Sequence, residues 1–334
     1  MAVKLVEVIR AGIVESTHIG SLAVVDSHGN TLYALGDTER LTFYRSAGKP
    51  IQAVVSLESG IVDEYKLSLK EIAIMASSHE GEKQHIDNIK TIMEKVNVKE
   101  EDFKCGAQVP YSKDAEKELI LAGLAPTRLH CNCSGKHIGL ISAARKRGLP
   151  VESYHEDSHV LQDEIAGIFS EFSNTGLSSM AKGMDGCSIP VYAVPLKNMA
   201  LSYANLCDNN FAGGKYSKSQ NYITSAMTMY PEMVGGEGKL DTVLMKHFGD
   251  RIISKSGAEG VYCAGILGKG VGIAVKIEDG NSRAVEPLIV ELLVQMKIIG
   301  KDEVQKVREF WNPKVKNHKG EVVGEIRATF ELKE

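Results

Sequence analysis

Short runs of β-branched and apolar residues fill the first 45 positions. Residues 4–10, 20–26 and 31–35 each have the length and composition of a strand. Asp26-Ser-His-Gly-Asn30 separates two of them and predicts a hairpin turn. The period then changes. Ile86, Ile89, Met93 and Val96 recur at helical spacing, and further helices are expected over 69–77, 113–122, 134–147 and 158–172. Strand-like runs return at 251–255, 259–266 and 270–277. Val285, Leu288, Ile289, Leu292, Leu293 and Met296 then mark an amphipathic helix with Pro287 in its first turn. A last strand is expected over 321–332.

Strands at both chain ends around a helical middle predict an α+β fold, with one antiparallel sheet built from the two termini. The expected organisation is one catalytic unit over 1–334. Residues 1–45 and 250–334 form the sheet, and 46–249 are mainly helical. Phe211-Ala-Gly-Gly214 and Val234-Gly-Gly-Glu-Gly238 are read as local loops. Neither carries the Lys-Ser/Thr that a phosphate-binding loop requires.

Composition narrows the partners. The net charge is −4 with both signs interspersed. That points away from nucleic acid and from anionic lipid surfaces. The N-terminal residues show no basic segment followed by a long apolar run, and no window reaches the ~20 apolar residues of a membrane span. A cytoplasmic protein is therefore expected. The six cysteines of this chain are too sparse for a disulfide framework and suit a reducing compartment.

Four segments can carry chemistry. In Arg45-Ser-Ala-Gly-Lys-Pro50, Ser46 and Lys49 are three apart, a spacing that shares one helix face. Pro50 is tolerated only in a first turn, so the helix must begin near Ser46 or Ala47. Ser46 then sits at a helix N-terminus, which favours developing negative charge. A neutral Lys49 can serve as its general base. The plain alternative is a helix cap beside an exposed lysine. Lys255-Ser256-Gly257 follows a strand far downstream. A Ser-x-x-Lys helix followed by Lys-Ser/Thr-Gly on a strand is the pattern of serine β-lactamases and penicillin-binding proteins. Ser78, in Ala76-Ser-Ser-His-Glu-Gly81, is a candidate partner hydroxyl or a second nucleophile paired with Lys255. The adjacent His79 is a structural or a functional histidine. Cys133, before Ser134-Gly-Lys-His137, and Cys187, after Asp185-Gly186, could bring two thiolates to one Zn²⁺ with a third N or O ligand. They could equally be buried cysteines at a helix start.

Taken together, several blocks resemble the rhizobial-type L-asparaginases, the asparaginase II family. They are Glu15-Ser-Thr-His18-Ile-Gly20, Arg45-Ser-Ala-Gly-Lys-Pro-Ile-Gln52, Ser78-His79, Cys133-Ser-Gly-Lys-His137, Gly183-Met-Asp-Gly-Cys187, Pro231-Glu-Met-Val-Gly-Gly236 and Lys255-Ser-Gly-Ala-Glu-Gly260. The resemblance implies a fold related to serine β-lactamases and glutaminases, a homodimer, and hydrolysis of L-asparagine to L-aspartate and ammonia. It implies two Ser–Lys pairs, Ser46 with Lys49 and Ser78 with Lys255. It places a zinc ion on Cys133, Lys136 and Cys187, holding substrate. It assigns substrate recognition to Arg45, His79, His137 and Asp185. Competing expectations are a glutaminase or other small-amide or β-lactam hydrolase on the same scaffold, and a non-catalytic zinc-binding protein.

Overall fold

The computed structural model describes residues 1–332. Its strands are β1 (Val3–Arg10), β2 (Ile13–Asp26), β3 (Thr31–Leu35), β4 (Leu41–Phe43), β5 (Ala181–Met184), β6 (Pro190–Pro195), β7 (Ile252–Ser256), β8 (Val261–Ile266), β9 (Val271–Ile277), β10 (Lys314–Lys316) and β11 (Val322–Ala328). One sheet runs in the order β10-β11-β1-β2-β9-β8-β7, with β3 also on β2. Its pairings are antiparallel. The N-terminal and C-terminal strands therefore interleave in one α+β sheet, as the alternation of periods along the chain predicts.

The helices are α1 (Lys49–Glu58), α2 (Ile61–Tyr65), α3 (Leu69–Met75), α4 (Lys83–Val96), α5 (Lys113–Leu121), α6 (Ser134–Lys146), α7 (Val160–Ser173), α8 (Leu196–Leu206), α9 (Ser217–Met229), α10 (Pro231–Gly235), α11 (Leu240–Phe248), α12 (Val285–Gln295) and α13 (Arg308–Trp311). Both faces of the sheet are covered. Successive side chains on a strand point to opposite faces. Ala23 and Val25 accordingly join a core with α1, α3, α4, α6, α7, α8 and α9. Leu22 and Val24 join a second core with α11 and α12. Helix α8 packs against β9 at Gly272, where a Cβ would lie 1.9 Å from the Ala200 carbonyl oxygen, so only glycine permits that approach.

Three features differ from the sequence expectations. Strand β2 begins at Ile13, because its first half is exposed and lacks an apolar alternation. Residues 46–249 also contain β5 and β6, which form a small sheet with β4. These strands are short, and β6 is bounded by prolines that mask its strand character. The α-helix of the Ser-x-x-Lys block begins at Lys49, preceded by a 3-10 turn over Arg45–Gly48, with Pro50 in the first helical turn. Among the described residues, no helix is long and apolar enough to cross a membrane.

Candidate active site

The Ser46 block leaves β4 and turns sharply toward α1. Arg45 has φ +48°, a left-handed conformation that costs a non-glycine residue energy and persists only where surroundings enforce it. Those surroundings are visible. The Tyr203 hydroxyl donates to the Ala47 carbonyl at 2.6 Å, and the Arg45 guanidinium donates to Asp185 at 3.0 Å. The result sets Ser46, half-buried, on the wall of a cavity of about 540 Å³. Ser78, Asn132, Tyr111, Asp241, Ser256 and Tyr262 share that wall.

Lys49 is buried, and its amine donates to Ser78 Oγ at 2.9 Å and to the Asn132 carbonyl at 3.3 Å. The bond present therefore joins Lys49 to Ser78, not to Ser46 as the spacing suggests. Lys49 opens α1 while Ser46 lies in the tighter preceding turn, and the lysine stem extends across to the loop after α3. Among the described residues the Ser46 hydroxyl makes no side-chain hydrogen bond and faces the cavity. Lys255, expected beside Ser78, is fully buried and folds back on its own strand end. Its amine donates to the Ser256 carbonyl at 2.8 Å and lies 3.6 Å from Asp241. Burial pushes its pKa down to about 8. Asp241 opposes that shift and the Lys49 charge adds to it.

A sulfur-rich cluster lies behind the cavity. It depends on Gly135, where a Cβ would sit 1.9 Å from the Ile74 carbonyl oxygen, so α6 can begin hard against α3. Cys133 and Cys187 are buried, and Lys136 donates to Cys187 Sγ at 3.1 Å. Hydrogen bonds from the Cys131 and Cys187 thiols hold Cys133 well below the ordinary thiol range. The same contact keeps the proton on Cys187. Burial works against charge on Lys136, but Cys187, Cys133 and Asp185 outweigh it and hold its ammonium above the usual lysine range. Among the described residues, no group of three or more His, Cys, Asp or Glu side chains is arranged to hold a metal. A metal here would need the lysine nitrogen. Two sulfurs and one amine, buried together, fit zinc with one position open once Cys187 and Lys136 give up their protons.

The remaining expected residues divide. Arg45 and Asp185 are paired beside this cluster, and Glu259 approaches Arg45 at 3.8 Å. His137 is fully buried, and burial with the Lys136 charge lowers its pKa to about 3. Its Nδ1 meets the Tyr154 hydroxyl, while Nε2 has no partner among the described residues. His79 departs from the expectation of a substrate contact. The Gly81 N–H donates to its Nδ1 at 3.1 Å, so Nε2 carries the proton and donates to Ser134 Oγ at 2.8 Å. Both ring nitrogens are used inside the protein, and the ring stacks on His85. Sequence reasoning missed Asn132 and Asp241. Asn132 immediately precedes Cys133, one of the two cysteines already singled out. Asp241 follows a glycine-rich loop with no motif around it.

Comparison with known proteins follows this geometry. Residues 6–328 match the sequence profile described as L-asparaginase II. A search of curated protein sequences gives no match. Among solved structures, the chain is similar to Mglu at 13% identity and TM-score 0.37, covering 84% of this chain and 67% of that one. A second Mglu structure, in 4.3 M NaCl, gives 14% identity and TM-score 0.39 over 85% of this chain and 63% of that one. The chain thus spans about two thirds of the Mglu length. A β-lactamase from Mycobacterium bovis gives 11% identity and TM-score 0.36 over 83% of this chain and 94% of that one. The profile covers all but the chain ends, and the Ser46, Ser78, Cys133, Cys187 and Lys255 blocks fall inside it: the chain belongs to the L-asparaginase II family.

Proposed function

We propose that this amide hydrolase converts L-asparagine to L-aspartate and ammonia, with Ser46 as nucleophile and Lys49 as the base that activates it. The observation that carries the reading is the buried Lys49 amine, bonded at 2.9 Å to Ser78 Oγ, a hydroxyl that lines the same cavity as Ser46. Catalytic hydrogen bonds often tighten only when substrate arrives, so a Ser46–Lys49 contact can form at that stage. Lys49, as free amine, takes the Ser46 proton while Oγ bonds to the side-chain amide carbon. The C–N bond then breaks. The proton passes from Lys49 through Ser78 to the leaving nitrogen, which departs as ammonia. Water cleaves the aspartyl ester and restores the Ser46 hydroxyl.

Recognition of the α-amino and α-carboxylate groups is assigned to Asp185, Arg45 and the free Nε2 of His137. Cys133, Lys136 and Cys187 would hold a zinc ion, and a bound zinc would supply a Lewis-acid contact that fixes substrate. Deprotonation of Lys136 and Cys187 would accompany its loading. The same reading takes the working form to be a homodimer. Ser46→Ala tests the nucleophile. Ammonia release from asparagine should fall roughly a thousandfold or more, with thermal melting unchanged. Near-full activity in that variant contradicts the assignment. Glutamine turnover exceeding asparagine turnover in the wild-type protein contradicts the substrate.

A further inference from the structure

Asp241 lies in the first turn of α11, a helix on the opposite side of the sheet from α1. Its carboxylate reaches round the end of β7, the terminal strand of the sheet. There Oδ2 accepts the Ser256 N–H at 3.0 Å and the Ser256 hydroxyl at 2.6 Å, and it lies 3.6 Å from Lys255 Nζ. The Lys255 side chain is fully buried and that of Asp241 is 2% exposed. Burying one such charge alone is very costly, so each is retained here by the other and by the Ser256 donors. Asp241 also satisfies an edge N–H that has no strand to pair with. Its second oxygen has no partner among the described residues. The hydroxyls of Tyr262 and Ser254 lie close by, also buried and unpartnered.

We propose that Asp241 is a positioning residue, which fixes Lys255 and the Ser256 end of β7 at the serine cavity through these contacts and does not act on substrate itself. The proposal rests on Lys255 belonging to the amide-hydrolysing site. It has two consequences: Asp241 holds the proton on Lys255, as any adjacent carboxylate would, and through Lys255 it sets the pH at which turnover begins, which a purely structural carboxylate would not. Four groups face the Lys255 amine: Asp241 from α11, Lys49 from α1, Cys133 from the start of α6, and Cys263 across on β8. Burial and Lys49 drive the proton off Lys255, and Asp241 is the main group opposing them. Removing the Asp241 charge leaves the first two unopposed, so Lys255 must lose its proton at lower pH.

The test uses the full-length protein labelled at the lysine ε-carbons. The Lys255 resonance, assigned by its loss in Lys255→Met, is titrated by NMR. The wild-type midpoint is expected near 8. Asp241→Asn should lower it by about one unit, since an adjacent opposite charge is typically worth one to three. The amide is isosteric, keeps an oxygen for Ser256, and offers N–H groups to the unpartnered hydroxyls. Asp241→Ser, suited to a helix start, gives the same reading if the amide variant does not fold. A Lys255 midpoint unchanged in both variants overturns the proposal. Ammonia release from asparagine is measured separately for wild-type protein and Asp241→Asn: the acid limb of kcat/KM should move down with the Lys255 midpoint, and a limb that stays in place while the midpoint moves overturns the positioning role. Absence of release by the wild type refutes the amidase reading, while a shifted Lys255 midpoint still supports the placement of Asp241.

Discussion

At the residue scale, the site is a competition for protons among amines taken out of water. Lys255 is fully buried, and burial together with the nearby Lys49 charge disfavours charge on it. With Lys255 pushed down to about 8, its free amine predominates only above that pH. If turnover needs that free amine, kcat/KM for asparagine rises with pH through about 8 and falls on the acid side. A pH profile of wild-type protein checks this, and Lys255→Met should abolish the limb along with most activity. His137 gives a second prediction. Its Nε2 is buried without a partner and its ring is neutral above pH 3 or so. His137→Phe should raise KM more than it lowers kcat, as steady-state kinetics would show. The identities of Ser46, Lys49, Ser78 and Lys255 were legible from spacing and family blocks. Their pairing was not, because the reach of Lys49 to Ser78 depends on how α1 and the loop after α3 meet. Asp241 was invisible for the same reason. Its role arises only where α11 passes the end of a strand more than ten residues downstream.

At the element scale, the strongest constraint is the seat of α6 on α3. Gly135→Ala would drive a Cβ into the Ile74 carbonyl, a backbone atom with no rotamer to yield. The helix must move, which typically costs about 1–3 kcal/mol. Because α6 carries Lys136 and His137 and follows Cys133, metal content should fall along with stability. Denaturant unfolding and metal analysis of Gly135→Ala would show both. The long periodic elements were readable from apolar spacing: α4, α6, α7 and α12 lie where that spacing places them. The strands β7, β8 and β9 did so too, since they are buried and β-branched. The small sheet of β4, β5 and β6 was not readable. Its strands are short, and their register is set by contacts distant in sequence.

At the scale of the whole molecule, the sheet separates two cores and lets both contribute to one cavity. Ser46, Ser78 and Asn132 come from the helical side, and Asp241 comes from the other. The α+β order of strands, helices and strands predicted this interleaving of the two chain ends in one sheet. Two bulk properties follow from the proposed function. Light scattering should give a mass near twice 36.3 kDa. Metal analysis should find about one zinc per chain, lost in Cys187→Ala. The most direct test of the central claim is ammonia release from L-asparagine by wild-type protein and by Lys49→Met. Steady release by the wild type and a loss of roughly a thousandfold or more in the variant are predicted. No release by the wild type, or undiminished release by Lys49→Met, would contradict a serine activated by a buried lysine.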